Sequence, residues 1–380
     1  MRGSIKKIGK NKYRLVYDLP PMLVDGELIR KQKKEVFNGT KVQAEDYLAD
    51  IITKIKSGLY INDTGKTVAE YLREWFNSHK NKLAYRTAQS YRDTIEMHLI
   101  PGLGYHKLID LRPIHIQEYY QSKDNLSSTT VLYHHRVLSA ALRQATRWEL
   151  IPRNPAGGVV PPERAEFEGV RLTTREGFMV LEETRDSIMH APIVLAAFLG
   201  ARRGEICALS WSDIDFTTKT INIRHSLKRI GNRLEVGSTK THKERMVAMG
   251  DYLSSELSEH LEKQQRWFGA AGIPTGFVCC WEDGRPLDPD YVSKQYKKIL
   301  RRLGLNTESR FHDLRHNFAT LSLRAVVHPR VISEMLGHDI SNKDISQNTT
   351  NKYYSHVEVE MQRELATFIE SEYLKGSLEH

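Results

Sequence analysis

The chain has 380 residues, of which 40% are hydrophobic and 27% are charged. This length and composition predict two or three globular domains, each able to bury a core of its own. No run of about 18 apolar residues occurs, so we expect no membrane-spanning helix, and the opening stretch MRGSIKKIGK lacks the apolar core of a secretory signal.

The charge balance favours a polyanionic partner. The chain carries 56 Lys or Arg and 47 Asp or Glu, a formal net charge of +9. Such an excess is typical of nucleic-acid-binding proteins, although a merely basic soluble protein can have the same totals. The odd number of cysteines, with Cys279 next to Cys280, indicates a reduced, cytoplasmic protein, and no Cys/His spacing typical of a metal site occurs.

Residues 1–60 are the most basic part of the chain, with thirteen Lys or Arg and seven Asp or Glu, a net charge of +6. The stretches YRLVYDL (13–19) and RKQKKEVFNG (30–39) predict strands. A helix is expected to begin at a capping box of Thr40 and Gln43 and to end at Gly58. We therefore expect a three-stranded sheet with one helix, whose basic strands lie on a phosphate backbone or are simply solvated.

Residues 63–151 predict a helical bundle, which opens at a second capping box of Thr67 and Glu70 and is stopped by Pro152. Basic and polar side chains are expected on its outer face, where they either enter a DNA groove or are solvated. These residues are Arg86, Arg92, His134, His135, Arg143 and Arg147.

Residues 152–169 hold four of the thirteen prolines and three glycines without periodicity, which is typical of an interdomain linker. A third capping box, Thr173 with Glu176, opens the last region, 170–375, where helices and strands alternate. Residues 376–380 look like the start of a purification tag. The chain as a whole predicts a multidomain, mainly α protein with small β-sheets.

Several residues of the last region suit phosphate chemistry. Arg202 and Glu205 lie one helical turn apart, Lys240 lies in a predicted turn between two strands, and His312 and Arg315 share a helix face. The planar guanidinium of Arg can grip two phosphate oxygens at once, which neutralises charge without a metal. Each of these residues alone is more often an ordinary surface, ion-pairing or helix-capping residue.

His338 and the pair Tyr353–Tyr354 complete the set. Tyr can act as a covalent nucleophile, and Lys and His can carry its proton. The sequence has no Gly-flanked Ser or Cys nucleophile, no glycine-rich phosphate loop and no carboxylate cluster for Mg²⁺. Metal-free phosphoryl transfer through tyrosine is the chemistry that this combination favours.

The segments GARRGE, TKTHKER, HDLRH, LGH and YYSHV, in this order, resemble the signature of the tyrosine recombinases, the family of phage and conjugative-transposon integrases. The resemblance implies three functional regions: an arm-type DNA-binding module at 1–60, a helical core-binding domain at 63–151, and a catalytic domain with a C-terminal helix at 170–375.

The resemblance also assigns the site residues. Lys240 matches the mobile hairpin lysine, the general acid for the leaving 5′-hydroxyl, whereas Arg203 is expected to be a helix-surface residue. The matched catalytic residues are Arg202, Lys240, His312, Arg315, His338 and Tyr354, with Glu205 in a supporting role.

On this resemblance, Arg202 and Arg315 would grip the scissile phosphate of DNA. Tyr354 would attack it and form a 3′-phosphotyrosyl bond, with His312 assisting its deprotonation and His338 helping to hold the phosphate. No cofactor and no metal are expected, because the phosphotyrosine stores the bond energy for rejoining.

The implied function is integration and excision of a mobile element by a homo-tetramer on double-stranded DNA, at core and arm sites, in the cytoplasm of a bacterial host at the nucleoid. A DNA-bending host factor and an excisionase are the accessory partners that the family uses. Two alternatives stay open at this point: a catalytically silent DNA-binding protein on the same fold, and a type IB topoisomerase-like enzyme.

One feature departs from the family pattern. Fifteen residues separate His338 from Tyr354, and the polar stretch SNKDISQNTT (341–350) makes this gap longer than usual. The extra loop could allow cleavage in trans or keep the tyrosine withdrawn before synapsis. The amphipathic helix expected after Val357 could likewise pack on its own domain or exchange with a neighbour.

Overall fold

The computed structural model describes residues 3–19, 22–24, 27–29, 32–57, 64–164, 169–239, 244–273, 275–337 and 359–376. The chain divides into two compact units, Met1–Glu166 and Phe167–His380. The predicted fold class, mainly helical with small sheets, is confirmed. Among the helices of the described ranges, none has the length and apolar character needed to cross a bilayer.

The first unit begins with a small antiparallel sheet in the order β1-β2-β5, accompanied by a separate β3–β4 hairpin and followed by helix α1. The elements are β1 (Gly3–Gly9), β2 (Lys12–Asp18), β3 (Met22–Val24), β4 (Glu27–Ile29), β5 (Gln32–Asn38) and α1 (Lys41–Lys56). The capping box of Thr40 and Gln43 is present as predicted.

Alternation along β2 separates an apolar face from a basic one. Tyr13, Leu15 and Tyr17 are buried and pack in one cluster with the apolar stripe of α1. The opposite face carries exposed cations on three adjacent strands. These cations are Lys6, Lys12, Arg14 and Lys34. Lys6 lies directly across from Arg14 in the register, and like charges in that position repel.

The remaining helices of the first unit form a bundle around one apolar core. They are α2 (Val68–His79), α3 (Tyr85–Thr94), a π-helical turn (Ile95–Leu99), α4 (Ile100–Leu103), α5 (Pro113–Gln121) and α6 (Ser128–Arg147). The second capping box, Thr67 with Glu70, is confirmed. Ala156 and Val159, in the first half of the predicted linker, are buried in this same core.

The expectation that His134 lies on the outer face was wrong. It is 1% exposed, because its position on α6 falls on the same helical face as the buried Val131 and Leu138. Its Nδ1 shares a hydrogen bond of 3.0 Å with the hydroxyl of Tyr119, and burial is the main reason that the pKa of His134 falls to about 4.

The described residues of the second unit form eight α-helices and five strands. Three of the strands make a sheet of order β10-β7-β6, and the other two make a separate β8–β9 hairpin. Its first elements are α7 (Thr174–Thr184), α8 (His190–Leu199), α9 (Arg203–Ala208), β6 (Ile214–Asp215), β7 (Thr220–Ile223), β8 (His225–Ile230) and β9 (Arg233–Ser238). They are followed by β10 (Arg245–Ala248), α10 (Asp251–Ala271), α11 (Pro289–Arg302), α12 (Phe311–Ser322), α13 (Pro329–Leu336) and α14 (Val359–Lys375).

Helix α8 is the centre of this unit, and all ten of its residues are buried. It ends at Gly200, whose φ of +61° is a left-handed conformation that favours glycine. A Cβ at Gly200 would lie 2.6 Å from the ring of Phe318 on α12. The missing side chain therefore allows α8 and α12 to approach closely, which matters because α12 carries His312 and Arg315.

The C-terminal helix α14 packs on the second unit, with Leu365, Ile369 and Tyr373 in its core. Glu370, which is 6% exposed, accepts hydrogen bonds from the backbone amides of Tyr252 and Leu253 at 3.2 and 2.8 Å. These amides lie in the first turn of α10, where no carbonyl of the helix itself can accept from them. Glu370 of α14 thus caps a different helix, α10. No local sequence signal identifies this contact.

We expect Glu370→Ala to lower the free energy of unfolding by about 1–3 kcal/mol, because two buried amides at the start of α10 lose their acceptor. The measurement is chemical denaturation of the free chain, with the exposed Glu360→Ala on the same helix as the control. Equal stabilities of the two variants would mean that α14 does not dock on its own unit in solution.

Candidate active site

Three arginines from distant parts of the chain meet in the second unit. Arg202 precedes the first turn of α9, Arg245 is the first residue of β10, and Arg315 lies in α12. Two fixed groups bring them together: the carboxylate of Glu205 and the C-terminal end of α13. The predicted pairs Arg202–Glu205 and His312–Arg315 thus belong to one region of the structure.

Glu205 is 3% exposed and is held by two of these arginines. Its oxygens accept bonds from the backbone amide of Arg202 at 3.0 Å and from Nη1 of Arg202 at 2.9 Å. They also accept bonds from Nη1 and Nη2 of Arg245 at 3.2 and 2.7 Å. Burial would raise the pKa of Glu205, but the hydrogen bonds from Arg245 and Arg202 outweigh it, so the pKa lies below its usual value.

Arg315 is 5% exposed and is fixed by two backbone carbonyls. Its Nη1 donates to the oxygen of Gly200 at 2.7 Å and its Nη2 to the oxygen of Leu336 at 2.6 Å. Burial, followed by the nearby charge of Arg202, lowers the pKa of Arg315 to about 9. The guanidinium is still cationic at neutral pH, and a bound anion would stabilise that charge.

The end of α13 serves all three guanidinium groups. Arg245 Nε donates to the carbonyl of Met335 at 3.0 Å, Arg315 to that of Leu336, and Arg202 Nη2 to that of Gly337 at 2.8 Å. These carbonyls lie at the negative end of the helix, where the backbone leaves acceptors without helical partners. Three consecutive acceptors therefore hold three cations.

His312 lies one turn before Arg315 and is exposed to solvent along part of its surface. Its ring makes an edge-to-face contact with His316, with 4.9 Å between ring centroids. Desolvation of the ring, and then the neighbouring His316 and Arg315, lower the pKa of His312 to about 4. The ring is therefore neutral at pH 7, where its unprotonated nitrogen is a weaker base than that of an ordinary imidazole.

Four other predicted residues lie outside the described part of the chain. They are Lys240, His338, Tyr353 and Tyr354. The loop 341–350 lies in the same gap, so its role stays a prediction. In the sequence, Lys240 follows the buried Thr239 and His338 follows Gly337.

Arg203 is more constrained than the expected surface residue. It is half-buried, its Nη1 donates to Ser293 Oγ at 2.5 Å, and its Nη2 lies 3.2 Å from Asp290. The reason is that α11 packs against α9 at this point. Adjacent arginines in GARRGE thus have different environments: Arg202 bonds Glu205, whereas Arg203 bonds α11.

Arg245 was not identified from the sequence, although its side chain is only 10% exposed. It belongs to the basic stretch TKTHKER, where one more cation suggests a solvated turn. A signal was present in the strand alternation, because Arg245 is two residues before the fully buried Val247 and shares its face.

Two family models and several known proteins match this chain. Residues 179–361 match the model of the phage integrase family, and residues 67–123 match the model of the phage integrase N-terminal SAM-like domain. A tyrosine recombinase XerC-like protein of Caldanaerobacter subterraneus subsp. tengcongensis is 28% identical over an alignment 381 residues long, gaps included, which spans 92% of this chain and 94% of that protein.

Solved structures show the same fold. The integrase of the transposon Tn1549, in complex with a circular intermediate DNA, superposes with a TM-score of 0.64 at 18% identity, over 78% of this chain and 98% of that one. A lambda integrase tetramer bound to a Holliday junction gives a TM-score of 0.58 at 19% identity, over 82% and 91%. With the two family models matched in order along the sequence, the chain belongs to the phage integrase family, the tyrosine recombinases.

Proposed function

We propose that this site-specific tyrosine recombinase cleaves and rejoins DNA through a 3′-phosphotyrosyl bond at Tyr354, and thereby integrates and excises a mobile genetic element. The observation that carries the proposal is the arginine cluster. Arg202 and Arg315 are each fixed by two side-chain bonds through their Nη atoms. A guanidinium has five N–H donors, so beyond these bonds within the described part of the chain each has three to offer to phosphate oxygens.

The local charge fits the reaction. Three guanidinium groups surround the single carboxylate of Glu205, so the formal net charge of the cluster is about +2. A pentacoordinate phosphorus formed from a phosphodiester and a tyrosinate carries two negative charges. Donors that are already in place stabilise such charge strongly, because they need not reorganise during the reaction.

In the proposed step the Tyr354 oxygen bonds to phosphorus while the bond to the 5′-oxygen breaks. Lys240 gives its proton to that leaving oxygen, the neutral His312 takes the tyrosine proton, and His338 helps to hold the phosphate. The reverse attack, by a 5′-hydroxyl of the partner strand, restores the phosphodiester without cofactor or metal. One ester bond is exchanged for another, so no external energy source is needed.

We infer that the partners are double-stranded DNA, at core and arm sites, and three further copies of this chain. The support is that relatives are seen on DNA, in one case as a tetramer on a Holliday junction. A DNA-bending host factor and an excisionase would set the direction of recombination. We place the activity in the bacterial cytoplasm, at the nucleoid, and propose the regions 1–60, 63–151 and 170–375 as the arm-binding, core-binding and catalytic domains. Residues 152–169, whose first half packs on the bundle core, would join the last two.

The exposed cations of the β1-β2-β5 sheet support the arm-site proposal. We expect neutralisation of Lys6, Arg14 and Lys34 to Gln to weaken binding to arm DNA. The slope of log affinity against log salt should fall by about 0.9 for each phosphate that is no longer neutralised. Cleavage of a core site should be unchanged. Gln substitutions at the exposed Lys41, Lys54 and Lys56 of α1 are the control, and equal slopes for both triple variants would contradict the assignment.

The test of the function is a suicide-substrate assay with the full chain and nicked DNA from the ends of its element, without metal or ATP. A covalent protein–DNA band on a denaturing gel is expected. Sequence-specific binding without a band would favour the silent DNA-binding alternative. Relaxation of supercoiled plasmids of any sequence would favour the topoisomerase-like alternative.

A further inference from the structure

Arg245 differs from the other two arginines in how its nitrogens are used. Nη1 and Nη2 both donate to Glu205, and Nε donates to the carbonyl of Met335. All three guanidinium nitrogens are therefore bound to the protein scaffold. Within the described ranges, the side-chain bonds that fix Arg202 and Arg315 use their Nη atoms, so the Nε–H of each can donate to a ligand.

The backbone is shaped around this side chain. Gly337 has a φ of +63° at the end of α13, and a Cβ there would lie 2.8 Å from Nη1 of Arg245. A contact under 3 Å with a guanidinium that is itself held on both sides cannot be relieved cheaply. Gly337 thus makes room for Arg245, and its own carbonyl accepts from Arg202.

These hydrogen bonds form a closed network. Arg245 joins Glu205 to the end of α13, Glu205 orients Arg202, and Arg202 returns to the same helix end through Gly337. Removal of Arg245 would leave Glu205 with one arginine partner and would free the carbonyl of Met335. Arg202 would keep its charge and its own bonds to Glu205 and Gly337, but Glu205 would lose two of the four hydrogen bonds that fix its carboxylate, so the direction of the Arg202 guanidinium would be less strictly set.

We propose that Arg245 is a positioning residue for strand cleavage, which acts through Glu205 and the end of α13 to hold Arg202 in its reactive orientation. The proposal rests on the proposed function, since it assumes that Arg202 binds the scissile phosphate. It predicts a loss in the rate of the chemical step with little loss in DNA affinity, because the Arg245 side chain is only 10% exposed and three of its five N–H groups already donate to the protein.

The test uses Arg245→Met in the full chain, with adduct formation followed at saturating suicide substrate and the DNA dissociation constant measured separately. We expect a rate about 100-fold below wild type, the usual effect of a misplacement of about 1 Å. The matched control is Arg224→Met, which removes the partner of another buried carboxylate, Asp213, outside the arginine cluster. The control should keep the wild-type rate.

A pH profile separates positioning from a general loss of structure. Without Arg245, Glu205 loses the hydrogen bond and the charge that most oppose the effect of burial, so its pKa is higher than in the wild-type protein. The adduct rate of Arg245→Met should therefore increase with pH relative to wild type, and this extra dependence should vanish in Arg245→Met with Glu205→Gln. Arg245→Lys, which keeps the charge, should recover part of the rate. If the Met variant does not fold, Arg245→Lys replaces it in the same rate and pH measurements.

A rate within threefold of wild type would overturn the proposal, as would a loss that occurs only in the dissociation constant or equally in Arg224→Met. An unchanged pH profile would also overturn it. The wild-type protein tests the proposed function separately. If it forms no adduct, both the proposed function and the positioning role are rejected. If it forms the adduct and Arg245→Met is equally active, only the positioning role is rejected.

Discussion

In Tyr354→Phe we expect the covalent protein–DNA adduct to disappear while binding to the recombination site is retained. The substitution removes only the hydroxyl oxygen that forms the ester with phosphorus, so no phosphotyrosyl bond can form. The arginines that we propose to bind the phosphate are unchanged. The measurements are the suicide-substrate gel and a gel-shift titration on the same DNA.

Tyr353→Phe is the matched control, because it makes the same change one residue earlier in the sequence YYSHV. It should form the adduct at a rate close to that of wild type. If Tyr354→Phe still formed an adduct and Tyr353→Phe did not, the nucleophile would be Tyr353. Mixing Tyr354→Phe with a cleavage-deficient arginine variant would also show whether the tyrosine acts in trans, since only trans cleavage restores activity to the mixture.

Arg202→Lys is expected to lower the rate of adduct formation by about 10²–10³, the usual loss when one preorganised donor is removed. A lysine keeps the charge but cannot bind Glu205 and Gly337 while presenting further donors to a phosphate, because it lacks the planar fork. The rate should be measured in single turnover at saturating DNA, so that weaker binding does not enter.

The neighbouring residue offers the control. Arg203→Lys removes a guanidinium that bonds Ser293 and Asp290 on α11 rather than the carboxylate of Glu205. We expect its cleavage rate to stay near that of wild type. A loss in Arg203→Lys as large as in Arg202→Lys would mean that the phosphate is bound by both arginines or that α9 is displaced as a whole.

Local signals predicted much of the fold. The capping boxes at Thr40, Thr67 and Thr173 are all present, since each needs contact only between residues three apart. Strand β1 was not located from its residues, because as an edge strand it has only half-buried or exposed positions and shows no clear alternation. The burial of His134 was also missed, because polarity suggested solvent whereas its helix face points to the core.

The site was predictable in pieces. Arg202 with Glu205, and His312 with Arg315, lie within one turn of each other, so sequence spacing alone pairs them. Their convergence on the carbonyls of residues 335–337 depends on tertiary packing, which spacing does not encode. Arg245 was hidden for the same reason: its partners, Glu205 and Met335, lie 40 and 90 residues away in the sequence.

The capping of α10 by Glu370 has a consequence for exchange of the C-terminal helix between copies. If α14 simply left its own unit, the amides of Tyr252 and Leu253 would remain buried or solvated without their acceptor, at a cost of about 1–3 kcal/mol. A helix arriving from an identical copy would bring its own Glu370 to the same amides and restore both bonds. Reciprocal exchange of α14 between two copies therefore costs almost no free energy in these two hydrogen bonds, whereas undocking of a single helix loses both.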